Sequence, residues 1–233
     1  DIGMANIDVL MGTSPPYSLY HLLKREKGIE EIICRSPHGI EFIAGGSGFN
    51  DLLTLSQQEV DYFTEQVLSL SGTVDYILFD TGAGLSKESL AFITAADKTI
   101  IVTTPEPTSI TDAYAVMKMV HSKEPGVQFQ LIVNRVTDRL EGLQTGEKIR
   151  LVANRFLQLD IPVLGYIPDD PNVAKAVKKQ VPFSVLYPDT PASKELKGLA
   201  QRFHQSAPPQ ESAEATTGIR KFLHRMMNFM KQS

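Results

Sequence analysis

The run Tyr76-Ile77-Leu78-Phe79-Asp80-Thr81-Gly82-Ala83-Gly84 has the residue types, in the order, that phosphate chemistry uses. A buried apolar strand would fix Asp80 in place, where its carboxylate can hold Mg²⁺ directly or through water. The glycines behind it carry no Cβ, so their backbone N–H groups can approach a terminal phosphate closely. The same spelling also fits an ordinary strand that ends in a turn at Asp80.

Such a carboxylate works with a phosphate loop, G-x-x-x-x-G-K-[ST], whose amides cradle phosphate while its Lys neutralises it. The sequence spells none: Gly45-Gly46-Ser47-Gly48 has no following Lys, and Gly146-Glu147-Lys148 lacks both the spacing and the Ser/Thr. The chain opens on Asp1, with no Met or export signal before it. The expectation is a fragment cut inside a domain.

Other chemistry is limited by composition. The single cysteine, Cys34, allows no intramolecular disulfide and no Cys-x-x-Cys metal or cluster site, which points to a reducing cytosol. His21, His38, His121, His204 and His224 lack ligand spacing. With 233 residues and 42% hydrophobic content the chain can bury one full core, and no apolar run reaches the ~20 residues of a membrane span. The net charge of −4 hides an asymmetry, because residues 219–233 hold Arg220, Lys221, Arg225 and Lys231 and no acid. An acidic body is unsuited to non-specific nucleic-acid binding.

The elements that must position these groups alternate between strand and helix patterns, as in a parallel sheet covered on both faces. Strands are expected at residues 40–43, 76–79, 99–103, 130–134 and 163–167, with residues 99–103 buried on both faces because they are continuously apolar. Ser56-Gln57-Gln58-Glu59 is a capping box, and Val60, Phe63, Val67 and Leu70 fall on one helical stripe behind it. Helices are expected over residues 86–95, then from a cap within residues 109–112 with Ile110, Ala113, Met117 and Val120 inward. Ile149, Val152, Phe156 and Leu159 mark the next helix, and Leu196, Leu199 and Phe203 the last of the body.

Residues 206–217 are rich in Pro, Gln, Glu, Ser, Ala and Thr and read as a flexible linker. Beyond it Ile219, Phe222, Leu223, Met226 and Met230 recur at helical spacing with Phe229 beside them, opposite Arg220, Lys221, Arg225 and Lys231. Apolar burial and Lys/Arg attraction would add together on an anionic membrane surface. The alternative is a helix that docks on the body or on a partner.

In order, Asp1-Ile2-Gly3-x-x-Asn6-x-Asp8, the Asp80 to Gly84 turn, Thr104-Pro105-Glu106-Pro107-Thr108-Ser109-Ile110-Thr111-Asp112-Ala113, Val133-Asn134-Arg135 and Ile167-Pro168-Asp169-Asp170 resemble the FlhG/FleN/YlxH family. These are flagellar number and placement ATPases of the MinD/ParA superfamily. The resemblance implies a doubly wound, mostly parallel α/β P-loop fold without its P-loop strand and helix, with an ATPase body over residues 1–205. It makes Asp1 the second carboxylate of an Asp-x-Asp switch I pair that orients the attacking water. Asn6 would position switch I, Asp80 would be the Mg²⁺-side carboxylate, and Gly84 would give a switch II amide to the γ-phosphate. Asn134, Pro168 and Asp169 would frame the adenine, although Asn134 could simply end a strand and residues 168–171 form an ordinary turn. Glu106 would lie near the interface of a nucleotide-sandwich dimer, or in a plain loop.

The function implied is a switch: ATP with Mg²⁺ pairs two protomers, the tail meets the inner face of the cell membrane, and hydrolysis to ADP resets the state. Partners implied are the FlhF GTPase, flagellar switch (C-ring) proteins and anionic lipid, with no nucleic acid. A MinD-type division-site ATPase is one alternative. The other is a nucleotide-independent membrane-tethered adaptor, and a chain without a phosphate loop is expected to be inactive as an enzyme.

Overall fold

The computed structural model describes residues 6–45, 56–81, 86–205 and 212–232. In chain order the elements are α1 (Ile7–Leu10), α2 (Leu19–Leu23), α3 (Ile29–Ile32), β1 (Ile33–Arg35), β2 (Glu41–Ile43), α4 (Gln57–Leu68), α5 (Lys87–Ala95), β3 (Thr99–Thr103), α6 (Pro107–Lys123), β4 (Phe129–Val136), α7 (Arg139–Leu157), β5 (Val163–Pro168), α8 (Pro171–Lys178), α9 (Phe183–Leu186), α10 (Pro191–Gln205) and α11 (Ser212–Gln232). They gather into two compact units, Asp1–Ala95 with Gln210–Ser233, and Ala96–Pro209.

In the first unit β1 and β2 pair antiparallel, with Cys34 opposite Phe42. The capping box forms as spelled: Ser56 N–H donates to Glu59 Oε2 at 2.8 Å, and Glu59 N–H donates to Ser56 Oγ at 3.4 Å. That reciprocal pair starts α4 and turns Phe63 and Val67 into a core with Leu22, Ile32, Phe92 and Ala95. The side chain of Val60 lies outside the described residues. Phe222, Leu223 and Met226 of α11 belong to the same core, packed against α5 and α4. The tail helix begins at Ser212, inside the stretch expected as linker, and residues 206–211 lie outside the described residues.

Residues 76–79 do not form the expected strand, and Leu78 is 81% exposed. The physical reason is pairing: a strand exists through hydrogen bonds to a neighbour, and among the described residues none runs beside this segment.

The second unit holds a parallel sheet of order β3-β4-β5, with crossovers through α6 and α7. β3 buries Thr99, Ile101 and Thr103 and leaves Ile100 and Val102 exposed, so its burial alternates within the unit and is not two-sided as expected. α6 starts earlier than the sequence suggested: Glu106 is its N-cap and Pro107 its first residue, where a missing N–H costs nothing. Ser109, expected at the cap, instead accepts from the Thr104 N–H at 3.1 Å and meets Thr103 Oγ1 at 2.9 Å. Ala113, Met117 and Val120 face inward as expected.

α7 departs from its expected stripe. Ile149 is buried, but Val152 and Phe156 are exposed, and Gly142, Thr145, Gly146 and Ala153 complete the buried face. Close approach explains it: a Cβ on Gly142 would stand 2.7 Å from Tyr166 Cγ, and one on Gly146 3.2 Å from Val163 Cγ2. The small residues let the helix lie against β5, which turns the bulky ones outward.

Candidate nucleotide site

In an open α/β sheet, ligands bind beyond the carboxyl ends of the strands. Those ends, in the second unit, carry four of the expected residues. Parallel register sets Asn134 of β4 beside Ile167 and Val136 beside Pro168, so Asn134, Pro168 and Asp169 are neighbours, and the Asp169 N–H donates to Val136 O at 2.9 Å. Glu106 follows β3 at the same end. Asn134 Oδ1 accepts from the next residue's N–H at 2.9 Å, leaving its NH₂ as the donor for a base edge.

Arg135, quoted in the sequence motif without a role, connects this set. It has φ +57 at a register shift of β4, and its guanidinium lies 3.6 Å from Asp169 Oδ1 and 4.0 Å from Glu106 Oε1. All three side chains are more than half exposed, so the pairs orient the loops more than they stabilise them. A hydrogen bond from the Thr104 side chain, aided by the Arg135 charge, lowers the Glu106 pKa below its ordinary value. The legible signal was an Arg between two acids that each follow a strand.

Asp170 was also missed. It is nearly buried and caps α8, its Oδ1 accepting from Asn172 N–H and Nδ2, both at 2.9 Å. The Asn172 amide, against the effect of burial, holds its pKa below the usual carboxylate value. This cap fixes where the Pro168-Asp169 turn ends, and Asp-Pro before an apolar run was its spelling.

The remaining expected residues are in the first unit. Asn6 is the N-cap of α1 and makes no side-chain cap bond. Asp80 is exposed, and among the described residues its carboxylate has no ion pair, which leaves it available to a hard cation. Asp1 and Gly84 lie outside the described residues, as does the side chain of Met230. Of the tail set, Phe222, Leu223 and Met226 are core residues, Ile219 and Phe229 pack against that core, Arg220 and Lys221 are exposed, and Arg225 is half-buried. No described helix is long and apolar enough to cross a membrane, and no group of three or more His, Cys, Asp or Glu among the described residues is placed to hold a metal.

Taken by unit, the second offers a base-edge donor flanked by a Pro-Asp turn, and the first offers the Asp80 carboxylate, without an ion pair among the described residues. The phosphate cradle is not spelled in the sequence.

Comparison with known proteins identifies the family. A profile of the ParA family, described as NUBPL iron-transfer P-loop NTPase, matches residues 54–204. The chain is 34% identical over 232 residues to the flagellum site-determining protein YlxH of Helicobacter pylori, spanning 99% of this chain and 78% of the relative. It is 31% identical over 202 residues to the antiactivator FleN of Pseudomonas aeruginosa, spanning 87% and 72%. In fold it matches the cell division ATPase MinD of Pyrococcus furiosus, with TM-score 0.69 and 21% identity over 89% of this chain and 84% of that one. A MinC:MinD complex of Aquifex aeolicus gives TM-score 0.65 and 24% identity over 90% and 83%. By profile, identity and fold, the chain belongs to the MinD/ParA family of P-loop ATPases.

Proposed function

We propose that this protein is a nucleotide-switched ATPase that governs flagellar number and placement. The observation that carries the reading is the 34% identity to the flagellum site-determining YlxH along 99% of the chain. Identity to the septum site-determining MinD of Bacillus subtilis is lower, at 25%, which favours the flagellar role over division-site placement. Iron transfer is disfavoured because Cys34 is the single thiol.

In this reading ATP or ADP binds with Mg²⁺, which supplies charge neutralisation at the phosphates. Asp80 holds the metal side, with Asp1, Asn6 and the Gly84 amide around the terminal phosphate. Asn134, Pro168 and Asp169 take the base, and Arg135 aims their loop. Two protomers pair with Glu106 near the interface, and the state is read by an FlhF-type GTPase and by flagellar switch proteins.

Membrane association requires α11 to leave its dock. Phe222, Leu223 and Met226 would enter lipid, and these are the side chains the folded unit buries. One apolar face thus serves two exclusive occupants, so release and membrane binding are coupled. The exposed Arg220 and Lys221 supply attraction to anionic headgroups.

The test is complementation in cells deleted for the gene, counting flagella and their sites. The wild-type protein restores both and Asp80→Ala does not, with cell division unaffected. Equal restoration by Asp80→Ala, or a division defect alone, would overturn the reading.

A further inference from the structure

Arg135 stands out of the ladder between β4 and β5. Asn134 is opposite Ile167 and Val136 is opposite Pro168, so Arg135 has no strand partner of its own and bulges. A bulge re-aims one side chain, and the backbone takes φ +57 to do so here. That conformation costs a residue with a Cβ more than an exposed ion pair returns, and glycine carries no such cost. Stability therefore does not account for an arginine at this position. What the bulge achieves is to set the guanidinium between two acids, one after β3 and one after β5.

The two acids are anchored differently. Glu106 is the N-cap of the long helix α6, and a hydrogen bond from the Thr104 side chain favours its ionised form. Asp169 lies in the turn from β5 to α8; its N–H is tied to Val136 O at 2.9 Å, but among the described residues Arg135 is the ion-pair partner of its carboxylate. Glu106 thus braces the guanidinium at 4.0 Å from its far side, and the guanidinium orients Asp169 at 3.6 Å. A planar fork suits that task better than a point charge. An oriented, ionised carboxylate can only accept hydrogen bonds, so it takes an N–H and repels a carbonyl oxygen. A site built to hydrogen-bond one group rejects the analogue that lacks it.

We propose that Arg135, braced by Glu106, is the positioning residue for base choice: it holds the Asp169 carboxylate where that group accepts from a 6-amino purine and turns a 6-oxo purine away. The inference rests on the proposed nucleotide-switched ATPase, in which Asp169 lies against the base.

Steady-state hydrolysis of Mg-ATP and of Mg-inosine triphosphate by the full-length gene product tests it, because the two bases differ in carrying an amino or an oxo group at position 6. The wild-type protein is expected to show a KM about tenfold or more higher for the inosine nucleotide. Arg135→Ala keeps the Cβ, and with it the backbone cost, so what it removes is the reach of the side chain. It is expected to raise KM for ATP about three- to tenfold at unchanged kcat and to leave KM for inosine triphosphate within about twofold, so that the ratio collapses. Arg135→Lys, which keeps the charge without the fork, falls between wild type and Arg135→Ala, and Glu106→Gln narrows the ratio in the same direction by less. A merely structural arginine would raise both constants together, and a ratio unchanged in Arg135→Ala would overturn the inference while leaving the ATPase standing. A wild-type protein that hydrolyses neither nucleotide would overturn the proposed function instead.

Discussion

Arg135 reaches Asp169 across the ends of two neighbouring parallel strands, its Nε 3.6 Å from Oδ1, from a backbone at φ +57. The exposed ion pair contributes about 0–1 kcal/mol. The left-handed backbone costs of order 1–3 kcal/mol for a residue with a Cβ. Glycine removes the second term and loses the first, so Arg135→Gly is expected to be as stable as wild type or more stable by up to about 3 kcal/mol. Arg135→Val, which loses the pair and strains a β-branched side chain, is expected to be clearly less stable. Thermal melts of the two variants check the ordering, and the reverse order would contradict it.

The close approach of α7 to β5 gives a second test. Alanine improves helix propensity over glycine by about 1 kcal/mol, but a Cβ at Gly142 would stand 2.7 Å from Tyr166 Cγ. Overpacking of that kind costs about 1–3 kcal/mol and wins. Gly142→Ala is therefore expected to lower the denaturation midpoint, while Gly146→Ala, whose Cβ at 3.2 Å from Val163 Cγ2 needs the neighbour to give by only a few tenths of an ångström, is expected to lower it less. Midpoints in urea decide it.

Asp170 makes stability depend on pH. Its folded pKa lies below the ordinary carboxylate value, so its contribution is present above the unfolded pKa and is lost as pH falls through the folded one. Asp170→Ala is expected to lower Tm by a few degrees at neutral pH. That difference shrinks once the wild-type carboxyl protonates, in the acidic range below the unfolded value. A difference that stays constant across that range would exclude the cap as its source.

Vesicle binding by the tail should carry the mark of screened charge. Replacing Arg220 and Lys221 with Gln is expected to weaken binding to anionic vesicles about fivefold or more per charge at low salt, with folding unchanged because both side chains are exposed. Raising salt from 0.1 M to 1 M shortens the screening length from about 10 Å to about 3 Å and should erase most of the difference. Phe222→Glu, which places a charge in the apolar face, is expected to lose both docking and vesicle binding. Sedimentation across a salt series measures each variant.

Much of this was legible in the sequence where local chemistry decides. Ser56 and Glu59 announced a capping box, residues 99–103 a strand, and the motifs around Asn134 and Asp169 a shared strand end. The failures arose where a distant partner decides. Val152 and Phe156 satisfy helical spacing, yet Gly142 and Gly146 set the buried face because only they admit β5 so closely. Residues 76–79 carry strand propensity without a paired neighbour among the described residues. The stripe from Ile219 to Phe229 encodes an apolar face but not what covers it, and in the folded unit α4 and α5 do.

The proposed function, a nucleotide-switched ATPase with Asp80 on the metal side, is tested most directly by calorimetric titration with Mg-ATP. Two proteins are compared: the chain as it stands, and the chain preceded by the phosphate-loop strand and helix of a MinD/ParA relative. The expected result is no micromolar binding by the first and Mg²⁺-dependent micromolar binding by the second, weakened by Asp80→Ala. Tight Mg²⁺-dependent ATP binding by the chain as it stands, or binding by the joined protein that ignores Asp80→Ala, would contradict the account.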